Sequence, residues 1–189
     1  MRIVLLASGT GTLAQSIIDA YKSAELNLEI IELISDKQSQ AIERAKAAGI
    51  PTSYIPMEEE RSIWDAKLIQ RVGDLNPDLV VSVGFMRILS GEFISRFPTI
   101  NTHPALLPKF PGAHAVKDAL ASGVSKTGSS VHWVDEGIDT GAVIQQKEVE
   151  ILPQDDEATL HERIKIVERE LIVETLRNFV VSGIPRRKQ

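Results

Sequence analysis

Asn101 and His103 stand two residues apart in the run Ile100-Asn101-Thr102-His103-Pro104. On an extended segment, residues two apart point to the same face, so an amide and an imidazole would sit side by side. The amide N–H can stabilise a developing oxyanion, and the imidazole can move a proton near neutral pH. The plain alternative is that Asn101 caps a turn and His103 packs beside Pro104. Asp139 lies in Glu136-Gly137-Ile138-Asp139-Thr140-Gly141, where an acid is ordinarily a turn former. Brought against His103, its carboxylate would instead orient the ring and hold its proton. Spacing alone does not unite the two.

A second candidate is the loop Ser8-Gly9-Thr10-Gly11-Thr12. Glycines allow close backbone approach, and free N–H groups at a helix start favour an anion such as phosphate. Gly9 to Ala14 also satisfies the dinucleotide fingerprint, with Asp36 placed where a ribose-binding acid would follow the second strand. A tight turn with no ligand is the remaining reading. Among other side chains, His114 lies in a Pro-Gly loop, and His132 alternates with Val131 and Trp133 on a strand. His132 would line a cleft or bond a backbone carbonyl, while His161 reads as part of a solvated helix face. No histidine pair stands at metal-ligand spacing, so no metal is expected.

These groups need a scaffold. Ile3 to Ala7 is an apolar run suited to a strand covered on both faces. Leu13, Ile17, Ile18 and Tyr21 recur at helical spacing. Strands over 28–34, 52–55 and 79–83 alternate with helices over 39–48 and 58–75, the latter with Ile63, Leu68, Ile69 and Val72 inward. This alternation predicts an α/β fold with a Rossmann-like, mostly parallel sheet flanked by helices. Beyond residue 98, strands over 127–134 and 142–151 alternate apolar and polar residues, as an antiparallel pair would. Leu160, Ile164, Val167 and Leu171 mark a closing helix. One domain over 1–189 is expected, with halves of about 1–98 and 99–183 and a basic tail over 184–189.

The chain has 189 residues, no cysteine and a formal net charge of −5. Disulfides and thiolate metal sites are thereby excluded. Nucleic acid is an improbable partner, because its phosphates demand concentrated positive charge. No apolar run reaches the roughly 18 residues of a membrane span, so a cytoplasmic address is expected. The run Arg186-Arg187-Lys188 reads as a frayed, solvated end.

In order along the chain, Ser8-Gly9-Thr10-Gly11, Gly84-Phe85-Met86-Arg87-Ile88-Leu89, Asn101-Thr102-His103-Pro104, Leu106-Leu107-Pro108, Pro111-Gly112-Ala113-His114 and Ile138-Asp139-Thr140-Gly141 resemble the glycinamide ribonucleotide formyltransferase family. The resemblance runs from Met1 to about Gly183. It implies a formyl transfer from 10-formyltetrahydrofolate to the amine of glycinamide ribonucleotide, in purine synthesis, by a monomer or homodimer. It further implies that Asn101 holds the oxyanion, His103 handles the proton and Asp139 keeps that proton on His103. Gly11, Thr12 and Leu13 would meet the ribonucleotide phosphate, and Lys165 and Glu168 the rest of that substrate. Arg61, Asn101, the segment Met86, Arg87, Ile88 and Leu89, and the loop Asp135, Glu136, Gly137, Ile138 and Asp139 would hold the folate. Without the resemblance, Arg61 and Glu168 would pass for surface charge. Leu13 departs from the family, in which asparagine is common.

Two other readings remain at this level. A sister enzyme of the same core, such as formyltetrahydrofolate hydrolase or methionyl-tRNA formyltransferase, would ordinarily carry a further module. The hydrolase would carry it ahead of the core and the tRNA enzyme after it, and neither is expected here. A non-catalytic dinucleotide-binding module accounts for Gly9, Gly11, Ala14 and Asp36 but leaves 101–112 unexplained.

Overall fold

The computed structural model describes residues 1–185. The basic run at 186–188, expected to be a solvated end, lies outside the described residues. Two compact units divide the chain, Met1–Ile100 and the remainder from Asn101.

In the first unit, β1 (Arg2–Leu6), α1 (Thr12–Lys22), β2 (Glu29–Ser35), α2 (Gln40–Ala47), β3 (Thr52–Tyr54), α3 (Arg61–Leu75), β4 (Leu79–Ser82) and α4 (Gly91–Arg96) follow in turn. The strand order is β3-β2-β1-β4, and every pairing is parallel. Parallel strands covered on both faces read as unbroken apolar runs. Ile3 to Leu6 and Leu79 to Val81 are accordingly fully buried. Gly49, with φ +78°, follows the end of α2 in the left-handed conformation expected there.

Two details of α3 differ from the periodicity. The helix starts at Arg61, leaving Glu58 to Glu60 outside it. Ile63 is 45% exposed while Trp64 is fully buried. The indole covers more apolar area than isoleucine and donates from Nε1 to the Ile55 carbonyl at 3.0 Å, so it takes the inner position. Tyr21, expected inward on α1, stays partly exposed.

β5 (Thr99–His103) runs through the boundary and carries Asn101 and His103 into the second unit. There α5 (Ala115–Ala121), β6 (Lys126–Trp133), β7 (Val143–Glu150) and α6 (Glu157–Ser182) follow. β6 and β7 pair antiparallel from Lys126↔Glu150 to His132↔Val143, with a bulge between Val131 and His132. β6 does not alternate as expected: Thr127 to Trp133 are all buried. Its polar side chains are tolerated where they find partners. Ser130 Oγ accepts from the Leu107 N–H and from Gln146 Nε2, and donates to the Ala105 carbonyl. Those bonds pin the proline-rich segment that leads away from His103. A core of Val116, Val149, Leu160 and Ile164 joins α5, β7 and α6. Asp156 and Thr159 start α6 with a reciprocal capping box.

Candidate active site

The second unit brings Asn101, His103 and Asp139 together, and adds His132. β5 supplies the amide and the first imidazole, β6 supplies His132, and the β6–β7 loop supplies the acid. Asp139 adopts φ +55°, a conformation that Asp tolerates better than most residues. One of its oxygens, Oδ2, accepts from the Gly112 N–H at 2.8 Å and lies 3.2 Å from His103 Nδ1. The other, Oδ1, lies 3.4 Å from His132 Nε2. Burial pushes the Asp139 carboxyl up. The His132 hydrogen bond, the Gly112 N–H and the two imidazoles outweigh that and hold it below the usual carboxylate range. Asp139 is therefore an anion at neutral pH.

His103 is buried, and both of its ring nitrogens face oxygen acceptors. Nδ1 meets Asp139, and Nε2 lies 2.8 Å from the Phe110 carbonyl. A neutral ring can donate to only one of them, whereas an imidazolium donates to both. His132 Nδ1 is 2.9 Å from the Trp133 carbonyl, which requires a proton on that nitrogen. Its Nε2 lies 3.3 Å from Asn101 Nδ2 and 3.4 Å from Asp139 Oδ1, and it donates to that carboxylate when it too carries a proton. Sequence patterns left His132 undecided between a cleft and a carbonyl partner; the Trp133 carbonyl is present. No sequence signal could have found its contact with Asp139, because nothing local links residues 132 and 139.

Asp135 makes a turn of its own loop: its Oδ1 accepts from the Gly137 N–H at 3.1 Å and from the Thr140 hydroxyl at 2.7 Å. Glu136 and Ile138 are exposed on that loop. On α6, Lys165 pairs with Glu162 at 2.8 Å. Glu168 is only 5% exposed, contrary to the surface reading of its type. Burial raises its pKa to about 7 against the opposing pull of Lys165 and Arg169. His161 is half-buried rather than solvated, and burial lowers its pKa. His114 is exposed at the start of α5.

The first unit holds the glycine loop and the segment after β4. Gly11, with φ +71°, precedes α1 and is buried against α2. A Cβ there would lie 2.6 Å from the Ala41 Cα, so both space and backbone conformation demand glycine. No side chain caps α1. Thr12 and Leu13 form its first turn, and both are half-buried.

Three residues, Ser8, Asp36 and Arg61, hold the segment from Gly84 to Leu89. Ser8 donates its N–H to the Gly84 carbonyl at 3.1 Å, and its hydroxyl accepts from the Met86 N–H at 2.8 Å. Arg87 Nε donates to Asp36 Oδ2 at 2.6 Å. Arg61 donates to the Ile88 carbonyl and pairs with Asp65 at 2.9 Å. Leu89 is buried, while Met86 and Ile88 are 70% and 61% exposed. Asp36 is thus engaged by Arg87 and buried, not presented to a ribose as the dinucleotide reading requires. Among the described residues, no group of three or more His, Asp or Glu side chains is arranged to hold a metal.

A family model described as formyl transferase matches residues 1–176. Phosphoribosylglycinamide formyltransferase of Mycobacterium tuberculosis is 46% identical over 187 residues, covering 97% of this chain and 86% of that one. The trifunctional purine biosynthetic protein adenosine-3 of Drosophila melanogaster is 42% identical over 170 residues, covering 86% of this chain and 13% of that protein. The crystal structure of glycinamide ribonucleotide transformylase 1 from Symbiobacterium toebii matches with TM-score 0.93 and 34% identity, covering 99% of this chain and 92% of that one. The resemblance read from the motifs is borne out, as is the fold class: a mostly parallel sheet with antiparallel C-terminal strands, flanked by helices.

Proposed function

The chain belongs to the formyl transferase family, and from this premise we propose that it transfers the formyl group of 10-formyltetrahydrofolate to the amine of glycinamide ribonucleotide. The products are formylglycinamide ribonucleotide and tetrahydrofolate, in purine synthesis. We assign the reaction to one catalytic domain in the cytoplasm, acting on small molecules and using no metal.

The observation that carries this reading is the hydrogen-bonded set Asn101, His103, His132 and Asp139. The substrate amine attacks the formyl carbon, and the bond from that carbon to the folate nitrogen breaks. In between, negative charge gathers on the formyl oxygen, where the Asn101 amide and His103 stabilise it. The amine gives up a proton and the departing folate nitrogen takes one. His103, held at Nδ1 by Asp139, suits that role once its Nε2 leaves the Phe110 carbonyl for the reacting atoms. Asp139, ionised and held by the Gly112 N–H, keeps the ring oriented.

Gly11, Thr12 and Leu13 take the phosphate, since the start of α1 offers backbone N–H groups to an anion. Lys165 and Glu168 take the rest of the ribonucleotide, with the Glu168 carboxylate suited to an amine. Met86 to Leu89, Arg61 and the loop Asp135 to Asp139 take the folate. Met86 and Ile88 support the first of these, because they leave apolar side chains uncovered on an anchored loop, as a flat ring would need.

The test is to mix the purified protein with 10-formyltetrahydrofolate, with and without glycinamide ribonucleotide, and follow loss of the formyl group. Turnover that depends on the amine is expected. Formate released without it would identify a hydrolase instead.

A further inference from the structure

Asp36 is engaged by no step described above, yet its side chain is fully buried. One oxygen, Oδ2, meets Arg87 Nε at 2.6 Å, and the other, Oδ1, has no hydrogen-bond partner among the described residues. A buried carboxylate with a single partner and an unsatisfied oxygen is poor as a device for stability, because desolvation opposes the attraction. Its effect lies in what it restrains. The segment Gly84 to Leu89 is neither helix nor strand, so no backbone ladder sets its shape. Ser8 holds it at Gly84 and Met86, and Arg61 holds it at Ile88. Arg87, between those points, would otherwise be a long side chain free to carry the backbone with it. Asp36 closes that gap from the end of β2.

We propose that Asp36 is a positioning residue for folate: by fixing Arg87 it holds the Met86–Leu89 backbone in the shape that receives the pterin. This rests on the assignment of that segment to folate. An ion pair is needed, because a neutral amide at position 36 offers Arg87 a weaker acceptor and lets the segment move.

Asp36→Asn keeps size and shape while removing the charge. A charge-assisted hydrogen bond contributes enough that the KM for 10-formyltetrahydrofolate should rise about tenfold. The KM for glycinamide ribonucleotide and kcat at saturating folate should stay within about twofold, as when only the binding of one substrate is weakened. Hydrogen exchange should accelerate over 84–89 and leave the other strands unchanged. A merely structural role would move both KM values and accelerate exchange across the whole sheet rather than over 84–89 alone. If Asp36→Asn does not fold, Asp36→Ser, which also removes the charge and leaves Arg87 in place, is read the same way.

Ile88→Pro, which removes a backbone N–H from the segment itself, separates the two claims. If Ile88→Pro weakens folate binding and Asp36→Asn does not, the positioning role is wrong and the folate assignment stands. If Ile88→Pro binds folate like the parent, the assignment is wrong and the positioning role fails with it.

Discussion

The cluster around Asp139 and the glycine loop are built from opposite materials. In the cluster, four side chains from two strands and a loop meet through distances of 3.2 to 3.4 Å, and the backbone serves mainly to deliver them. At the glycine loop, the absence of a side chain is the essential feature, because the Gly11 backbone occupies the space against Ala41 that a Cβ would need. A site of side chains is therefore disabled by removing atoms. A site of backbone is disabled by adding them.

The largest effect should come from deletion in the cluster. Asn101→Ala and His103→Ala should each lower kcat by about a hundred- to a thousandfold, the loss typical of one oxyanion or proton-transfer group. Circular dichroism should show both variants folded, and near-parental turnover in either would end its assigned role. The reverse manipulation, Gly11→Ala, comes next. A positive φ in a residue with a Cβ costs about 1–3 kcal/mol, before any clash with Ala41. The KM for glycinamide ribonucleotide should rise about tenfold or more while the KM for folate stays put. If Gly11→Ala binds the ribonucleotide like the parent, the contrast between the two regions breaks.

Glu168 sharpens the contrast through pH. Its pKa is raised from the ordinary 4.5 to about 7 by burial, so between those values the folded chain holds a proton that the unfolded chain has lost. Stability attributable to this residue must then fall as pH rises across that window. Glu168→Gln has no such loss. At pH 8 it should be more stable than the parent by about 3 kcal/mol, converging with it below pH 4.5. Its KM for the ribonucleotide should nevertheless rise. Urea unfolding at the two pH values checks the first expectation, and a parental KM would remove Glu168 from the substrate site. The smallest effect is expected at Leu13. Leu13→Asn adds a side-chain donor beside the backbone N–H groups proposed for the phosphate, so affinity for the ribonucleotide should improve by only about threefold.

Much of this was legible before any coordinates. The runs Ile3–Leu6 and Leu79–Val81 announce strands covered on both faces, because only such strands are apolar without alternation. Gly11 announces a turn into a helix, and Asn101 and His103 announce a shared face by their spacing. Periodicity misplaced the α3 face, since it counts Ile63 and Trp64 alike and does not weigh the larger ring. It also missed the burial of β6, whose Thr127, Ser129, Ser130 and His132 look like solvent positions. Glu168 was readable only through the family resemblance.

What the amino-acid order alone determined was local: which segments extend, which coil, where glycine is obligatory, and which reactive side chains lie near one another along the chain. Tertiary structure decided the rest. It joined His132 to Asp139, turned the Asp139 carboxylate toward His103, and paired Asp36 with Arg87 across 51 positions. The reason is physical. Backbone preference acts over a few residues, whereas charge and hydrogen bonding act through space, and only folding makes distant residues neighbours.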